Sequence, residues 1–406
     1  MNLFFAWRYF KAKKSTNAIN IIAWVSVSAI LVGTASLIIV LSVFNGLEDL
    51  VKSLYSSFYP EIRISAKAGK FVHLSSSQLK LIKENPNIRA YALVVEEKVL
   101  LQYNSFQPAI MKGVDSNYRH VNGVSGKMAR GKFDLGTAEH PGVIMGVGIE
   151  NALGLESDRS VTPVTVYVFR KDSLSKTHDP LESLSTGNMA STGSFVIQQE
   201  FDNKYALTNL GFMKSMLALG EDEFSAAEIA LKDPVRATKT QKELLSELGN
   251  QYQVQTRYEQ NQSLYRVMHM EKWVIYAVLT MILVVAAFNM VGALTMLVLE
   301  KQKDIQVLKA MGANNQYVQN IFLSEGILLA LLGGGLGIIV ALIVCWMQVR
   351  FRLVPLQGES FLISYYPVKL IPGDFLLVFL TIFLVALIAS WYPARKAAGQ
   401  AIELRS

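Results

Sequence analysis

Residues 273–299 read WVIYAVLTMILVVAAFNMVGALTMLVL, 27 positions without one Asp, Glu, Lys, Arg or His, bounded by Glu271-Lys272 and Glu300-Lys301. A helix rises ~1.5 Å per residue and the hydrocarbon core of a bilayer is ~30 Å thick, so about 20 such residues cross it. A run this long and this free of charge is a transmembrane helix. Residues 21–44, 321–349 and 375–392 repeat the pattern, with Glu325 near the start of the third run. The first run is too long for a signal-peptide core and flows straight into Phe44-Asn45-Gly46, so it is read as a retained anchor. Only 17% of the 406 residues are charged, against ~25% in soluble domains, and the apolar excess sits in these four runs.

Lysines and arginines near the span ends orient the chain. Residues 1–20 carry Arg8, Lys11, Lys13 and Lys14; residues 300–318 carry Lys301, Lys303 and Lys309; residues 393–406 carry Arg395, Lys396 and Arg405. Four spans place these three segments on one side, read as cytoplasmic, with Arg350, Arg352 and Lys369 in the 350–374 loop opposing the bias. MNLFFAWRYF at the N-terminus reads as an interfacial segment along the inner face. Residues 45–270 then lie outside the cytoplasmic membrane. They hold 25 Lys+Arg and 25 Asp+Glu, so the net charge of +7 belongs to the membrane part, and no basic surface for nucleic acid is expected. Cys345 is the single cysteine, so the outer domain folds without disulfides.

The expected fold class is a membrane protein of four transmembrane α-helices, with a large α+β extracytoplasmic (periplasmic) domain inserted between helices 1 and 2. Leu47, Leu50, Val51 and Leu54 recur at helical spacing, as do Leu264, Val267 and Met268, which predicts two stalks. Glu61-Ile62-Arg63-Ile64-Ser65 alternates as a strand, and residues 161–169 and 194–198 read likewise. Residues 75–84, capped by Ser75, and 233–248, with Pro234 early and Gly249 after, read as helices. Residues 172–192 are polar and read as a long loop or hairpin.

Catalytic signatures are missing. His73, His120, His140, His178 and His269 form no metal-ligand pair at helical spacing, HExxH and GxSxG do not occur, and one cysteine makes no CxxC. Gly123-Val124-Ser125-Gly126-Lys127-Met128 lacks the spacing and the hydroxyl of a P-loop. The expectation is a non-enzymatic chain with no metal and no cofactor of its own. No ionisable group lies in the middle of a span, where each costs ~2.5–3.5 kcal/mol and marks an ion path. Energy for any transport therefore comes from outside the bilayer. Gly333 and Gly337 form a GxxxG that permits close helix approach, either to a span of the same chain or across a dimer.

Residues 300–312 read EKQKDIQVLKAMG. Ile305, Leu308 and Met311 fall at i, i+3 and i+6, Lys301, Lys303, Asp304 and Lys309 supply polar positions, and Gly312 is a stop. A short amphipathic helix at the cytoplasmic surface either lies in the interface or docks into a groove of a partner.

This segment, with Lys272 through Asn289 before it and Glu325-Gly326 after it, resembles the FtsX-type permeases of ABC transporters, and among them the LolC/LolE lipoprotein-release permease family. Trp7-Arg8-Tyr9, Leu41-Ser42-Val43-Phe44-Asn45-Gly46, the run Phe195-Val196-Ile197-Gln198-Gln199-Glu200-Phe201-Asp202, and Ser390-Trp391-Tyr392-Pro393-Ala394-Arg395 agree, in order along the whole chain. Ala401 stands where the family often has a proline before Glu-x-Leu-Arg. The resemblance implies a coupling helix for a separate LolD-like ATPase subunit, which binds ATP and Mg. That helix maps to Glu300, Lys301, Asp304, Ile305, Leu308, Lys309, Met311 and Gly312. It implies a second permease protomer, the same chain or a homologous one, and a lipoprotein cargo drawn from the outer leaflet of the inner membrane among its lipids. It also implies a LolA-like periplasmic carrier, for which the segment holding Asp172, His178 and Thr192 is the candidate. The alternatives are a MacB-like exporter, which normally carries its ATPase in the same chain, a cell-division FtsX-like permease with a smaller outer domain, and a membrane scaffold that moves nothing.

Overall fold

The structure is a computed structural model, and it describes residues 17–157, 159–160, 162–170, 184–356 and 365–399. The chain divides into two compact units: Val51–Tyr265, and the described residues up to Leu50 and from Arg266 onward apart from a short loop segment.

Four long helices build the membrane unit: α1 (Asn17–Phe58) and, after the intervening domain, Gln262–Glu300, Asn315–Phe351 and Pro372–Ala398. Val27, Ile30, Leu37, Ile38 and Leu41 of the first pack with Leu283, Met290 and Leu294 of the second, Leu329 and Ala341 of the third, and Val378 and Ile382 of the fourth. The first and second of these helices run on past the apolar segments as the expected stalks, α1 without a break as far as Phe58.

The GxxxG face of the third span is occupied by the first. A Cβ at Gly333 would meet the Val27 carbonyl oxygen at 2.8 Å, and one at Gly337 the Leu31 carbonyl oxygen at 2.7 Å. The two backbones touch because neither glycine carries a side chain. Glu325 is buried at 2% exposure near the start of its helix.

Between the first two spans stand twelve strands: β1 (Ile62–Ala66), β2 (Val72–His73), β3 (Ile88–Gln102), β4 (Phe106–Val114), β5 (Met128–Gly131), β6 (Gly142–Gly146), β7 (Val164–Phe169), β8 (Leu184–Phe195), β9 (Tyr205–Asn209), β10 (Glu223–Phe224), β11 (Ala226–Leu231) and β12 (Tyr252–Thr256). Ten of them form one sheet, ordered β12-β1-β11-β3-β4-β9-β6-β8-β5, with β7 joining β3 to β8. The pairings β3–β4–β9–β6–β8–β7–β3 close on themselves. This ring gives each of those six strands a partner on both sides over part of its length. Its interior holds Val95, Leu101, Met111, Val143, Met145, Val166 and Met189, plugged by Phe212 and Met213.

A second core lies where the start of β3 continues into β11, β1 and β12. There Ile62, Ile64, Ile229 and Val254 face two helices, α2 (Ser76–Glu84) and Ala237–Leu248. Ser75 caps α2 with a full capping box, Gln78 supplying its reciprocal partner, and Asp233 caps the turn that leads into the other helix.

Two sequence readings are sharpened. The helix expected over residues 233–248 begins as a 3₁₀ turn, Pro234–Arg236, and only then becomes α-helical. The polar run to Thr192 is a strand from Leu184 onward, in a hairpin with β7, from Phe169↔Leu184 to Val164↔Met189.

Candidate functional site

At the C-terminal end of the second span the chain turns at Lys301 and forms a helix, Gln302–Ala310. Asp304 in its first turn is bonded to Lys301 at 3.1 Å, where a carboxylate complements the helix dipole. The helix ends at Gly312, whose φ of +93° suits glycine, and Asn314 then caps the third span by accepting from the Tyr317 N–H at 2.8 Å.

The three apolar positions read as one stripe point in different directions. Ile305 is 2% exposed and packs with Leu297, Val298, Val318, Phe322, Ala394 and Ala397, at the adjoining ends of the second, third and fourth spans. Leu308 is half-buried. Met311 is 79% exposed, and so is Val307 at 58%, one turn away on the same face. Lys309 Nζ donates to the Ala398 carbonyl at 2.7 Å, closing the last turn of the fourth span onto the helix. Ile305 and Lys309 are thus attachments to the spans, and Val307 with Met311, flanked by exposed Lys303 and Asp304, form the outward face. Val307 was missed; its i, i+4 spacing from Met311 is the signal that marks a shared face.

The opposite ends of the spans meet at Asn45. Its side-chain oxygen accepts from Lys272 Nζ at 2.8 Å, and its amide donates to Asp374 Oδ2 at 2.5 Å. Lys272 and Asp374 are 3.4 Å apart. The Lys369 N–H donates to the Ser42 carbonyl at 2.9 Å, and its ammonium reaches Asp49 at 2.7 Å. Beside Asn45, a Cβ on Gly46 would sit 2.2 Å from the Pro367 carbonyl oxygen. The Asn-Gly pair of the junction is therefore required by position: amide hub and close approach.

In the outer domain a row of four charges crosses four neighbouring strands. Arg63 on β1 faces Glu228 on β11, and Glu96 on β3 faces Lys112 on β4, in register. Lys112 Nζ lies 2.6 Å from Glu228 and 3.2 Å from Glu96, and Arg63 lies 2.6 Å from Glu96. Burial pushes the Glu96 carboxyl up, but Arg63 and Lys112 outweigh it and hold it down at about 2. Phe58, the last residue of α1, covers Lys112 with its ring at 5.0 Å and stacks on Phe201 at 4.7 Å. Asp202, next to Phe201, accepts from the Ile197 N–H at 2.9 Å; burial raises its carboxyl to about 6 despite the backbone bonds.

Of the segment proposed for a carrier, Asp172 and His178 lie outside the described residues. Thr192 is inside β8, where its hydroxyl donates to the Asp134 carbonyl at 2.7 Å, a strand-to-loop tie.

The sequence of the FtsX-like permease C-terminal family matches residues 276–402, and that of the MacB-like periplasmic core domain matches residues 23–167. Over residues 276–402 the chain is similar to FtsX-type permeases. It is 27% identical to the lipoprotein-releasing system transmembrane protein LolC of Neisseria meningitidis serogroup B, over 97% of this chain and 96% of that one. It is 24% identical to the lipoprotein-releasing system transmembrane protein LolE of Haemophilus influenzae, with the same coverage. The periplasmic region of MacB from Actinobacillus actinomycetemcomitans superposes with a TM-score of 0.36 at 13% identity, over 53% of this chain and 98% of that one. The helix Gln302–Ala310 and the Asn45 hub both bind the spans to one another at their ends.

Proposed function

We propose that this permease is the membrane subunit of an ABC transporter that extracts lipoproteins from the outer leaflet of the inner membrane and passes them to a periplasmic carrier. Both termini are cytoplasmic, the chain itself catalyses nothing, and ATP and Mg are bound by a separate ATPase subunit. A second permease protomer, identical or homologous, completes the transporter. The observation that carries this reading is the helix Gln302–Ala310, tied by Ile305 to three span ends while Val307 and Met311 face outward. Such a helix passes a partner's movement to the spans. The spans' charge-free middles suit acyl chains better than an ion relay, and the names of the relatives just described point the same way.

The test is purification in mild detergent with native partners, followed by mass spectrometry. An ATPase subunit and acylated lipoproteins should co-purify, the lipoproteins leaving when ATP is added. Met311→Asp with Val307→Asp should release the ATPase and leave the permease folded. Recovery of a cell-wall hydrolase with the ATPase, and no lipoprotein, would favour a division-type permease; recovery of no ATPase would overturn both.

A further inference from the structure

Apart from the coupling helix and the Asn45 hub, the outer domain carries a groove of about 660 Å³ between the end of α2, the start of β3 and the short helix Tyr118–Val121. Lys83, Arg89, Arg119 and His120 line it, with the amides of Asn117 and Asn122, and no carboxylate is among its lining residues.

The charge is local. Residues 45–270 are balanced, 25 basic against 25 acidic, and many exposed cations there have carboxylate partners: Lys70 with Glu97, Arg159 with Glu156, Arg236 with Asp233. Among the described residues Lys83, Arg89 and Arg119 have none. Three like charges held together without counter-charge repel one another, and a bound anion relieves that.

The walls are held in place. Arg89 Nη2 donates to the His120 carbonyl at 3.2 Å, so one side of its guanidinium is fixed. The loop after His120 is tied to the end of α1 by the Gly123 N–H, which donates to the Ser57 carbonyl at 2.9 Å. Asn122 accepts from the Val124 N–H, and its buried side-chain nitrogen has no partner among the described residues. Guanidinium groups present paired N–H donors that match phosphate oxygens.

We infer that this groove binds a phosphate-bearing ligand, with Arg89 and Arg119 as its principal contacts and Lys83 adding charge. A free phosphate and a phosphodiester lipid headgroup share that chemistry. The test uses the intact permease in dodecyl maltoside, a detergent without phosphate, and isothermal titration at low salt with three probes: inorganic phosphate, glycerophosphoglycerol (a lipid headgroup without its chains) and a hexaglutamate peptide. Saturable binding of both phosphate compounds, weakened roughly tenfold in Arg89→Gln/Arg119→Gln and partly retained in Arg89→Lys/Arg119→Lys, supports a site for phosphate itself. Binding of glycerophosphoglycerol alone, with the same loss, supports a headgroup site. These exposed substitutions should leave the melting temperature unchanged. Binding of neither compound, binding equal in the glutamine variant, or equal affinity for hexaglutamate would overturn the inference.

Discussion

The two ends of the membrane unit are held by opposite chemistry. At the end that carries the helix Gln302–Ala310, Ile305 sits among Leu297, Val318, Phe322 and Ala394, a joint made of dispersion and burial. At the outer end Asn45, Lys272, Asp374 and Lys369 are joined by directional bonds between charges and an amide. Apolar contacts fall off gradually and tolerate sliding, whereas hydrogen bonds weaken steeply with angle and distance. The first kind of joint lets a helix shift and still grip. The second has two states, made and broken.

The largest effect that distinguishes these joints is expected from Ile305→Asp. It buries an unpaired charge in an apolar cluster, and should cost several kcal/mol and deplete the folded permease. Met311→Asp, six residues on, should leave thermal stability within about 0.5 kcal/mol and remove only ATPase co-purification. If both variants lost stability equally, the division of this helix into an inner and an outer face would be wrong. Gly46→Ala comes next. Its Cβ meets a backbone oxygen, not a yielding side chain, so α1 or the loop at Pro367 must move, at about 1–3 kcal/mol in a melting experiment. Asn45→Ala should cost about 1–3 kcal/mol by leaving Lys272 and Asp374 a partner short. Asn45→Asp, which keeps the acceptor for Lys272 but sets a carboxylate against Asp374, should not rescue it.

The smallest effect sharpens the contrast inside the outer domain. Asp202 is a polar group buried without a cation among its bonded partners, unlike Glu96. Its folded value of about 6 lies above the ordinary 3.8. Below 3.8 both folded and unfolded chains hold the proton and nothing is lost. As pH rises from there to about 6 the unfolded chain ionises first, so stability falls across this window and stays lower above it. Asp202→Asn, which keeps the acceptor for the Ile197 N–H, should abolish that fall, a gain on the order of 1–2 kcal/mol at pH 7 read from melting curves at pH 4 and 7.

The four spans were legible because length and dryness are properties of contiguous residues. Local chemistry was legible too: the Ser75 cap, the Gly312 stop and two helices of the outer domain, though not others such as Val147–Leu153 and Leu210–Leu217. The ring of strands was not, because β8 (LSTGNMASTGSF) is polar and small along its length. Its place comes from β7 on one side and β6 on the other, and nothing in its own pattern announces either. The direction of Ile305 was hidden for a related reason. Ile305, Leu308 and Met311 advance around a short helix, and spacing alone does not say which of them meets the spans. The row Arg63–Glu96–Lys112–Glu228 draws on four strands, so no window of sequence contains it.

The strand β3 links the two cores of the outer domain mechanically. At ~3.3 Å per residue its 15 residues reach about 50 Å. One end is hydrogen-bonded to β11, its middle carries Glu96 in the charge row beneath Phe58, and its far end, Leu100–Gln102, is bonded to Thr165–Tyr167 of β7 at the root of the β7–β8 hairpin. It is a single girder common to both cores. A hydrogen-bonded strand neither stretches nor shears cheaply, so the charge row beneath Phe58 and the root of the hairpin share one stiff, continuous backbone.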